Sequence, residues 1–265
     1  MRTNILGVGV DNVSLGRARK TVLGYIRGDR PRVVFTPNPE MIMAARRDPE
    51  LLNILGGADL VVPDGVGVVL ASKLTDHPIN ARTAGFDLIR AVLGGIAGKN
   101  SVYLLGGKPG VAVSAAKRLR KAYPGLEVVG AADGYFDLKK EKQILEDIRQ
   151  KRPDLLLVGL GMGKQEKWIN RHKGRLPFKA AIGCGGSLDV FAGNAKRAPA
   201  VFRALGLEWF YRLVREPSRL RRQLCLPAFA ALAVSEWIRR KYENIKKTSG
   251  LRADHARGGA VRVRR

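Results

Sequence analysis

Short apolar runs alternate with amphipathic stretches along most of the chain. The apolar runs predict strands at 4–10, 32–36, 59–63, 101–106, 126–131, 154–160 and 179–183. Helical spacing of apolar residues predicts helices near 14–27, 39–55, 65–74, 84–97, 110–123, 138–151 and 163–173. Strands of this kind, separated by helices, are typical of a mostly parallel sheet with helices on both faces. Residues 1–195 are therefore expected to form a Rossmann-like α/β domain.

The pattern changes after Gly193. Helical spacing continues near 199–214 and 217–243, and no further strand is predicted. We expect residues 196–245 to form a helical C-terminal appendage. The last segment, 246–265, is polar, basic and contains glycine, which predicts a disordered tail.

Polar residues and glycines follow nearly every predicted strand. They include Thr36 and Asn38, Asp64, and the loops at 106–110 (GGKPG), 159–165 (GLGMGKQ) and 183–187 (GCGGS). The carboxyl ends of parallel strands lie at one edge of a sheet, where ligands bind in open α/β folds. This shared placement predicts a ligand site and is stronger evidence than any single motif.

Asp64 is the one carboxylate in the apolar stretch VVPDGVGVV, residues 61–69. A carboxylate without a partner is costly to remove from water. A Pro-Asp-Gly turn would also account for it, because Asp and Gly both favour turns. Its position at the end of a strand, beside the other polar residues, favours a functional role.

The glycine loops limit the cofactors that can be expected. The stretch LLGGKPGVA has the form strand, glycine loop, helix, which suits a phosphate, although a purely structural turn would look the same. The chain has neither a complete G-x-G-x-x-G nor a P-loop, which argues against dinucleotide binding and ATP hydrolysis. No Asp-x-Asp pair is present, so no metal is expected to hold a diphosphate.

Composition adds two constraints. Cys184, Cys225 and three scattered histidines provide neither a disulfide framework nor a metal-ligand spacing, which suits a reducing cytoplasm. The N-terminus does not resemble a signal peptide, and no apolar run reaches the roughly 18 residues that a membrane span requires.

The net charge of +25 indicates an anionic partner: nucleic acid, a membrane surface or a phosphorylated substrate. Residues 196–265 hold 18 Lys and Arg against 5 Asp and Glu, a net +13. We find no nucleic-acid motif, and the aromatic residues form no stacking platform, so nucleic acid is not the expected partner.

The appendage pairs an apolar stripe with basic residues. The stripe consists of Leu220, Leu224, Ala228, Ala231, Ser235 and Ile238, and its flanks carry Arg219, Arg221, Arg222, Arg239, Arg240 and Lys241. The apolar centre of this segment, LCLPAFAALAV, is too short to span a bilayer, but it suits the headgroup region of an anionic membrane. The alternative is a helix packed on the α/β domain with solvated arginines.

Several long motifs carry a family resemblance from about residue 3 to 240. In chain order they are TPNPEMIMAARRDPELL, ADLVVPDGVGVV, ARTAGFDL, YLLGGKPGVA, GLGMGKQEKWI, GCGGSLDVFAG and RAPAVFRALGLEWFYRLVREPSRLRR. Together they resemble the WecG/TagA/CpsF family of bacterial glycosyltransferases. The resemblance implies transfer of a sugar from a UDP-sugar to a polyprenyl-diphosphate-linked sugar, for wall teichoic acid, common antigen or exopolysaccharide synthesis.

The resemblance also implies residue roles. Asp64 matches the proposed catalytic base, and polar residues of the catalytic pocket are matched by Thr36, Asn38, Arg82 and Gln165. Gly106, Gly107, Gly110, Gly185 and Gly186 suit the nucleotide diphosphate. Arg212, Arg219 and Arg222 match arginines that close over the active site. Gly163 departs from the family pattern, in which proline is expected, and a looser loop around Gln165 follows.

We therefore expect an inverting, metal-independent transferase without a cofactor, peripheral on the inner face of the cell membrane. The resemblance favours N-acetylmannosamine as the donor sugar and lipid-linked N-acetylglucosamine as the acceptor. Other donors, namely UDP-linked N-acetylmannosaminuronic acid or glucose, stay open. So does the oligomeric state, a homo-oligomer included. The alternatives from other classes are a nucleic-acid-binding protein and a nicotinamide oxidoreductase, the latter disfavoured by the missing fingerprint.

Overall fold

A computed structural model describes the backbone of residues 2–258 and the side chains of residues 2–243 and Lys246. Its strands are β1 (Arg2–Ile5), β2 (Val8–Asp11), β3 (Arg32–Phe35), β4 (Leu60–Val61), β5 (Ser101–Gly106), β6 (Glu127–Ala132), β7 (Leu155–Gly159) and β8 (Ala180–Gly183). Its first helices are α1 (Leu15–Arg27), α2 (Pro39–Ala45), α3 (Pro49–Gly56), α4 (Val66–Ser72), α5 (Gly85–Ile96) and α6 (Val111–Ala122). They are followed by α7 (Leu138–Lys151), α8 (Lys164–His172), α9 (Ser187–Ala192), α10 (Ala200–Ala204), α11 (Glu208–Arg215), α12 (Leu220–Gln223) and α13 (Cys225–Gly258).

The central sheet has six strands in the order β4-β3-β8-β7-β5-β6, and every pair in it is parallel. Both of its faces are covered. Val33 and Phe35 of β3 belong to one apolar core, whereas Val34 belongs to a second core on the opposite face. Leu155 and Leu156 of β7 divide in the same way. The predicted Rossmann-like α/β fold with helices on both faces is confirmed.

The strand order also places the ligand edge. From β3 the chain moves outward to β4, whereas from β5 it moves outward to β6 on the other side. Connections that diverge in this way leave a crevice at the carboxyl ends of the central strands. The loops after β3, β4, β7 and β8 meet at that crevice.

The prediction of a single strand over 4–10 is wrong. Residues 2–11 instead form an antiparallel hairpin, β1 with β2, outside the six-stranded sheet. Leu6 and Gly7 join the two strands with φ of 51° and 95°. Positive φ at both residues of a two-residue loop is the geometry of a type I′ hairpin turn, which reverses the chain.

Three predicted helices are divided in the structure. The helix predicted over 39–55 breaks before α3, where the Asp48 side chain caps the Leu51 N–H at 3.1 Å and Pro49 begins the new helix. The helix predicted over 199–214 breaks at Gly206, which has φ of 72°. The helix predicted over 217–243 becomes a short 3₁₀ turn at Pro217–Arg219 followed by α12 and α13.

The appendage lies against the α/β domain through α13, which contacts α2 and α4. Phe229 and Ala233 are the buried residues of that contact. Helix α13 continues to Gly258, beyond residue 246, where the sequence predicts a disordered tail. Extending an existing helix adds one hydrogen bond per residue fixed, so a helix held in place at its start extends readily. The rest of the predicted tail, 259–265, lies outside the described residues.

None of the helices in the described chain is both long enough and apolar enough to cross a bilayer.

Candidate functional site

A cavity of about 190 Å³ lies at the carboxyl edge of the sheet. It brings together nine of the residues predicted for the site: Thr36, Asn38, Asp64, Gln165, Gly185, Gly186, Arg212, Arg219 and Arg222. They come from four different loops and from the appendage, so the fold alone makes them neighbours. We refer to this space as the polar cavity.

Asp64 is placed by an extension of the strand pairing. The Val62 N–H donates to the Phe35 carbonyl at 2.8 Å, and the Asp64 N–H donates to the Pro37 carbonyl at 3.2 Å. These bonds continue the β3–β4 pairing beyond the last residue of β4. Gly65, with φ of 96°, then turns the chain into α4. The carboxylate is therefore carried by a rigid part of the sheet edge.

The electrostatic setting of Asp64 suits a proton acceptor. Burial is the main effect and raises the pKa of the carboxyl. The guanidinium groups of Arg82 and Arg212 and the backbone N–H of Gly85 oppose that shift, whereas the charge of Glu208 adds to it. A carboxylate with a raised pKa is a stronger base than one in water.

Arg82 is held beside Asp64 by its neighbour in sequence. The Thr83 hydroxyl donates to the Val13 carbonyl at 2.9 Å, and the Thr83 N–H donates to the Pro63 carbonyl at 3.0 Å. Arg82 Nε lies 4.0 Å from Asp64 Oδ1, while its Nη2 donates a hydrogen bond to Glu208 of α11. Arg82 lines a second, adjoining cavity together with Asp64.

Thr36 and Asn38 follow β3 and face the polar cavity. Asn38 Oδ1 accepts from the Met41 N–H at 2.9 Å and caps α2, so this residue also has a structural role. Thr36 lies against the start of α5, where a Cβ on Gly85 would come within 2.8 Å of Thr36 Oγ1. Gly85 thus allows the close approach that places Thr36 in the site.

Gln165, in the first turn of α8, is buried at the wall of the polar cavity. Its Oε1 accepts from the Gly185 N–H at 3.0 Å, and its Nε2 donates to Glu166 Oε1 at 2.7 Å. These bonds join the loop after β7 to the loop after β8. Gly163 does not leave this loop without support, because its N–H donates to Glu166 Oε2 at 2.7 Å.

The appendage supplies cations to the same cavity. Arg212 lies on α11, Arg219 ends the 3₁₀ turn and Arg222 lies on α12. Arg219 Nε also donates to Glu216 at 2.6 Å. Guanidinium groups bind phosphate oxygens through paired charge-assisted hydrogen bonds. Three guanidinium groups that line one cavity suit a diphosphate.

The glycine loop after β5 lies apart from these residues. Gly106, Gly107 and Gly110 line none of the described cavities. A Cβ on Gly106 would lie 2.3 Å from the Gly159 carbonyl oxygen, and the Gly107 N–H donates to that oxygen at 3.1 Å. Close packing of two strand ends accounts for these glycines, and their predicted contact with a nucleotide stays a prediction.

The second cavity, of about 750 Å³, opens beside the first. We call it the apolar cavity, because its walls are mainly aliphatic and aromatic side chains of α4, α11, α12 and α13, including Leu70, Trp209, Leu220, Phe229 and Val234. Asn38, Glu40, Asp64, Glu208, Arg212 and Arg219 line both cavities. The candidate base therefore lies where a polar space meets an apolar one.

Sequence reasoning missed several residues of the site. Glu208 belongs to the motif GLEWF, but one acidic residue in a strongly basic segment does not by itself indicate a role in the site. Arg197 donates to Asp87 at 2.5 Å and stacks over Phe86, with 4.9 Å from its guanidinium carbon to the ring centroid. Arg197 and Phe86 both line the polar cavity. The basic motif KRAPA, residues 196–200, is the sequence feature that could have indicated Arg197 as a site residue.

Within the described residues, no three His, Cys, Asp or Glu side chains cluster in the manner of metal ligands. The predicted independence from metal stays a prediction.

A carboxylate that faces arginines at the carboxyl edge of a Rossmann-like sheet suits an enzyme that acts on phosphorylated substrates. The chain belongs to the glycosyl transferase WecG/TagA/CpsF family, whose family model matches residues 3–243. The predicted class of enzyme, a glycosyltransferase, is thereby confirmed. The alternative of a nicotinamide oxidoreductase is wrong.

The chain is similar to relatives named N-acetylglucosaminyldiphosphoundecaprenol N-acetyl-beta-D-mannosaminyltransferase. It is 37% identical to the Bacillus spizizenii (strain ATCC 23059 / NRRL B-14472 / W23) protein over 206 residues, which is 77% of this chain and 79% of the relative. It is 36% identical to the Bacillus subtilis (strain 168) protein over 214 residues, covering 80% and 82% of the two chains. For the Staphylococcus aureus (strain MRSA252) protein the identity is 35% over 232 residues, covering 86% and 90%.

Proposed function

We propose that the protein transfers N-acetylmannosamine from a UDP-sugar to N-acetylglucosamine linked through a diphosphate to a polyprenyl lipid, in synthesis of a teichoic acid-like wall polymer. The relatives' name describes this acceptor and this sugar for those proteins. The single observation that carries the proposal is the meeting of the polar and apolar cavities at Asp64. A lipid-linked sugar needs both kinds of surface next to the reacting hydroxyl.

In the proposed reaction Asp64 accepts the proton of the acceptor hydroxyl as that oxygen attacks the anomeric carbon of the donor sugar. The bond between this carbon and the UDP oxygen breaks, and its electron pair leaves with UDP. Attack opposite the leaving group inverts the anomeric configuration. Negative charge grows on the departing diphosphate, where Arg212, Arg219 and Arg222 can stabilise it. This supports a mechanism in which cationic side chains assist departure.

The exposed face of the appendage supports attachment to a membrane. Every residue of the predicted apolar stripe is exposed, with Leu220 at 52%, Leu224 at 66% and Ile238 at 56%. The opposite side of α13 holds Phe229 and Ala233 against the domain. An exposed apolar stripe flanked by arginines suits the headgroup region of an anionic leaflet, with about 1 kcal/mol from each basic residue near the surface. We place the protein peripherally on the inner face of the cell membrane.

The test is UDP release from a panel of donors with a short-chain lipid-diphosphate N-acetylglucosamine acceptor. The panel contains UDP-linked N-acetylmannosamine, N-acetylmannosaminuronic acid and glucose. We expect release with the first donor that depends on the acceptor. Release with another donor would correct the sugar, and no acceptor-dependent release with any donor would refute the proposed transfer.

A second test separates a membrane partner from nucleic acid. We expect salt-sensitive binding to vesicles that contain anionic lipid, and no binding to duplex or single-stranded DNA at the same ionic strength. Binding to DNA without binding to vesicles would favour the nucleic-acid alternative.

A further inference from the structure

Glu166 is a fully buried carboxylate next to the polar cavity, with 0% exposure. It lies in the first turn of α8, directly after Gln165. Its Oε2 accepts from the Gly163 N–H at 2.7 Å, and its Oε1 accepts from Gln165 Nε2 at 2.7 Å. Both partners are neutral groups. A buried carboxylate is costly, so its presence beside the site calls for a role.

The hydrogen bonds of Glu166 decide which way the Gln165 amide points. Both Glu166 oxygens act as acceptors, Oε2 for the Gly163 N–H and Oε1 for Gln165 Nε2, so the NH₂ group of Gln165 is turned towards Glu166. The Gly185 N–H only donates, so Gln165 must turn Oε1 towards Gly185, at 3.0 Å. Two independent neighbours therefore require the same orientation. One hydrogen of Nε2 is used by Glu166, which leaves the other for a group in the polar cavity.

The chain makes room for this arrangement. A Cβ on Gly183, the last residue of β8, would lie 2.9 Å from Gln165 Nε2 and 3.2 Å from Glu166 Oε1. Only glycine there lets the two side chains lie against the strand end. Gly163 adopts φ of 81°, and its N–H points at Glu166. The loops after β7 and β8 are thus built around this pair.

We propose that Glu166 is a positioning residue that holds the Gln165 amide with an N–H towards the polar cavity, so that Gln165 donates to an oxygen of the sugar nucleotide. The oxygen that accepts this hydrogen bond belongs to a hydroxyl of the transferred sugar or to the adjoining phosphate. This inference rests on the proposed function. It adds Glu166 to the residues that shape the site and makes Gln165 a hydrogen-bond donor to the sugar nucleotide.

The substitution Glu166→Gln tests the idea because it keeps the size of the side chain and replaces one accepting oxygen with an NH₂ donor. The new amide must accept from the Gly163 N–H with its oxygen. Its own NH₂ group then faces the NH₂ group of Gln165, donor against donor. If Gln165 rotates to avoid this, its NH₂ group meets the Gly185 N–H instead. Either way Gln165 loses its fixed orientation.

The experiment is a double-mutant cycle on the full chain, with kcat and KM for the donor and the melting temperature of each variant. The variants are Gln165→Ala, Glu166→Gln and the two combined. We expect Glu166→Gln to lower kcat by about 10- to 100-fold when Gln165 is present, a typical cost of a misplaced group in a site. In the Gln165→Ala background the same change should alter kcat by less than about threefold.

A matched control is Glu141→Gln on α7. Glu141 is another shielded carboxylate that supports α8, because its Oε1 accepts from Trp168 Nε1 at 2.8 Å, but it does not line the polar cavity. We expect it to lower the melting temperature and to leave kcat nearly unchanged in both backgrounds. Equal losses of kcat from Glu166→Gln with and without Gln165 would overturn the proposal, as would normal kcat in Glu166→Gln.

A second readout does not depend on turnover. Selective ¹⁵N labelling of glutamine allows the side-chain amide signals of Gln165 to be assigned by their absence from Gln165→Ala. We expect Glu166→Gln to shift both proton signals of this amide. Unchanged amide signals would overturn the proposal even in a protein that releases no UDP, whereas absence of UDP release by the wild type alone would count against the proposed transfer.

Discussion

Arg82 links Asp64 of the α/β domain to Glu208 of the appendage. Its Nη2 donates to Glu208, while its Nε lies 4.0 Å from Asp64 Oδ1, beyond hydrogen-bond distance. This Nε is buried and has no hydrogen-bond partner in the described part of the chain. Glu208 therefore takes the direct ion pair, and Asp64 receives a weaker influence of the same cation. The appendage leaves the candidate base available for a proton.

The first prediction concerns Asp64 itself. We expect Asp64→Asn to lower kcat by about 10²–10⁴-fold, because general base catalysis supplies an effect of that size. UDP binding, measured by thermal stabilisation, should change little, since the diphosphate is expected to lie against the arginines. Turnover close to that of the wild type would make Asp64 a turn residue, as its Pro-Asp-Gly setting also allows.

The second prediction concerns Glu208 and pH. Burial raises the pKa of Asp64, and Glu208 adds to the rise while Arg82 opposes it. The ionised form of Asp64 is the active one, so activity is lost as pH falls through this raised pKa. Glu208→Gln removes a negative charge and frees Arg82 to pair with Asp64. Both changes favour the ionised form, so the acid limb of the profile should move to lower pH.

The measurement is kcat/KM as a function of pH in wild type and Glu208→Gln. The plateau should also fall, because a carboxylate paired with arginine is a weaker base. Glu236→Gln serves as the control, since Glu236 pairs with Arg46 at 3.9 Å and links the appendage to the domain without lining either site cavity. An acid limb that stays in place in Glu208→Gln, or moves equally in the control, would contradict this account.

The third prediction concerns metal ions. The proposed mechanism assigns stabilisation of the charge on departing UDP to arginine side chains, so activity should survive treatment with EDTA. The assay is UDP release after dialysis against the chelator, compared with the same sample supplied again with Mg²⁺ or Mn²⁺. Loss of activity with EDTA and recovery with either ion would show that a cation other than arginine stabilises the leaving group.

Much of the sheet and its ligand edge could be predicted, because apolar runs and strand-end polar residues are local features of the sequence. The strands from residue 32 to 183 and the placement of Asp64, Thr36 and Gln165 follow from that pattern. The sequence pattern could not distinguish the hairpin at 2–11 from one continuous strand, because the chain reverses through the backbone conformation of Leu6 and Gly7. Hydrophobic periodicity does not report positive φ at a residue such as leucine.

The parts that escaped prediction depend on contacts between distant segments. Glu208 acquires its role only because α11 lies over Arg82, 126 residues earlier in the chain. The apolar stripe at 220–238 can be predicted from the sequence, but whether it faces the domain or solvent depends on how Phe229 packs. Gly106 and Gly107 show that a local motif can have two explanations. Their glycine pattern is typical of a phosphate-binding loop, but close packing of two adjacent strand ends also requires it.

The last prediction separates the two roles of the appendage arginines. Arg212 and Arg215 lie on the same helix α11 and are both exposed, but only Arg212 lines the cavities. Arg215 instead lies over the Tyr211 ring, at 5.9 Å. Charge reversal at each position changes the net charge equally, so the pair isolates contact with the site. We expect Arg212→Glu to lower kcat with a soluble short-chain acceptor, whereas Arg215→Glu leaves it nearly unchanged.

Vesicle binding completes this comparison. Arg239 and Arg240 lie on α13 outside the two site cavities, so their combined reversal to Glu should weaken binding to anionic vesicles and spare turnover of the soluble acceptor. Arg212→Glu should show the opposite pattern, with a loss of kcat that persists without any membrane, because a contact with the departing diphosphate acts on the transition state itself. If Arg212→Glu and Arg215→Glu are equally active with the soluble acceptor, the arginines of α11 serve only to attract the protein to lipid, and leaving-group stabilisation must come from other groups in the polar cavity.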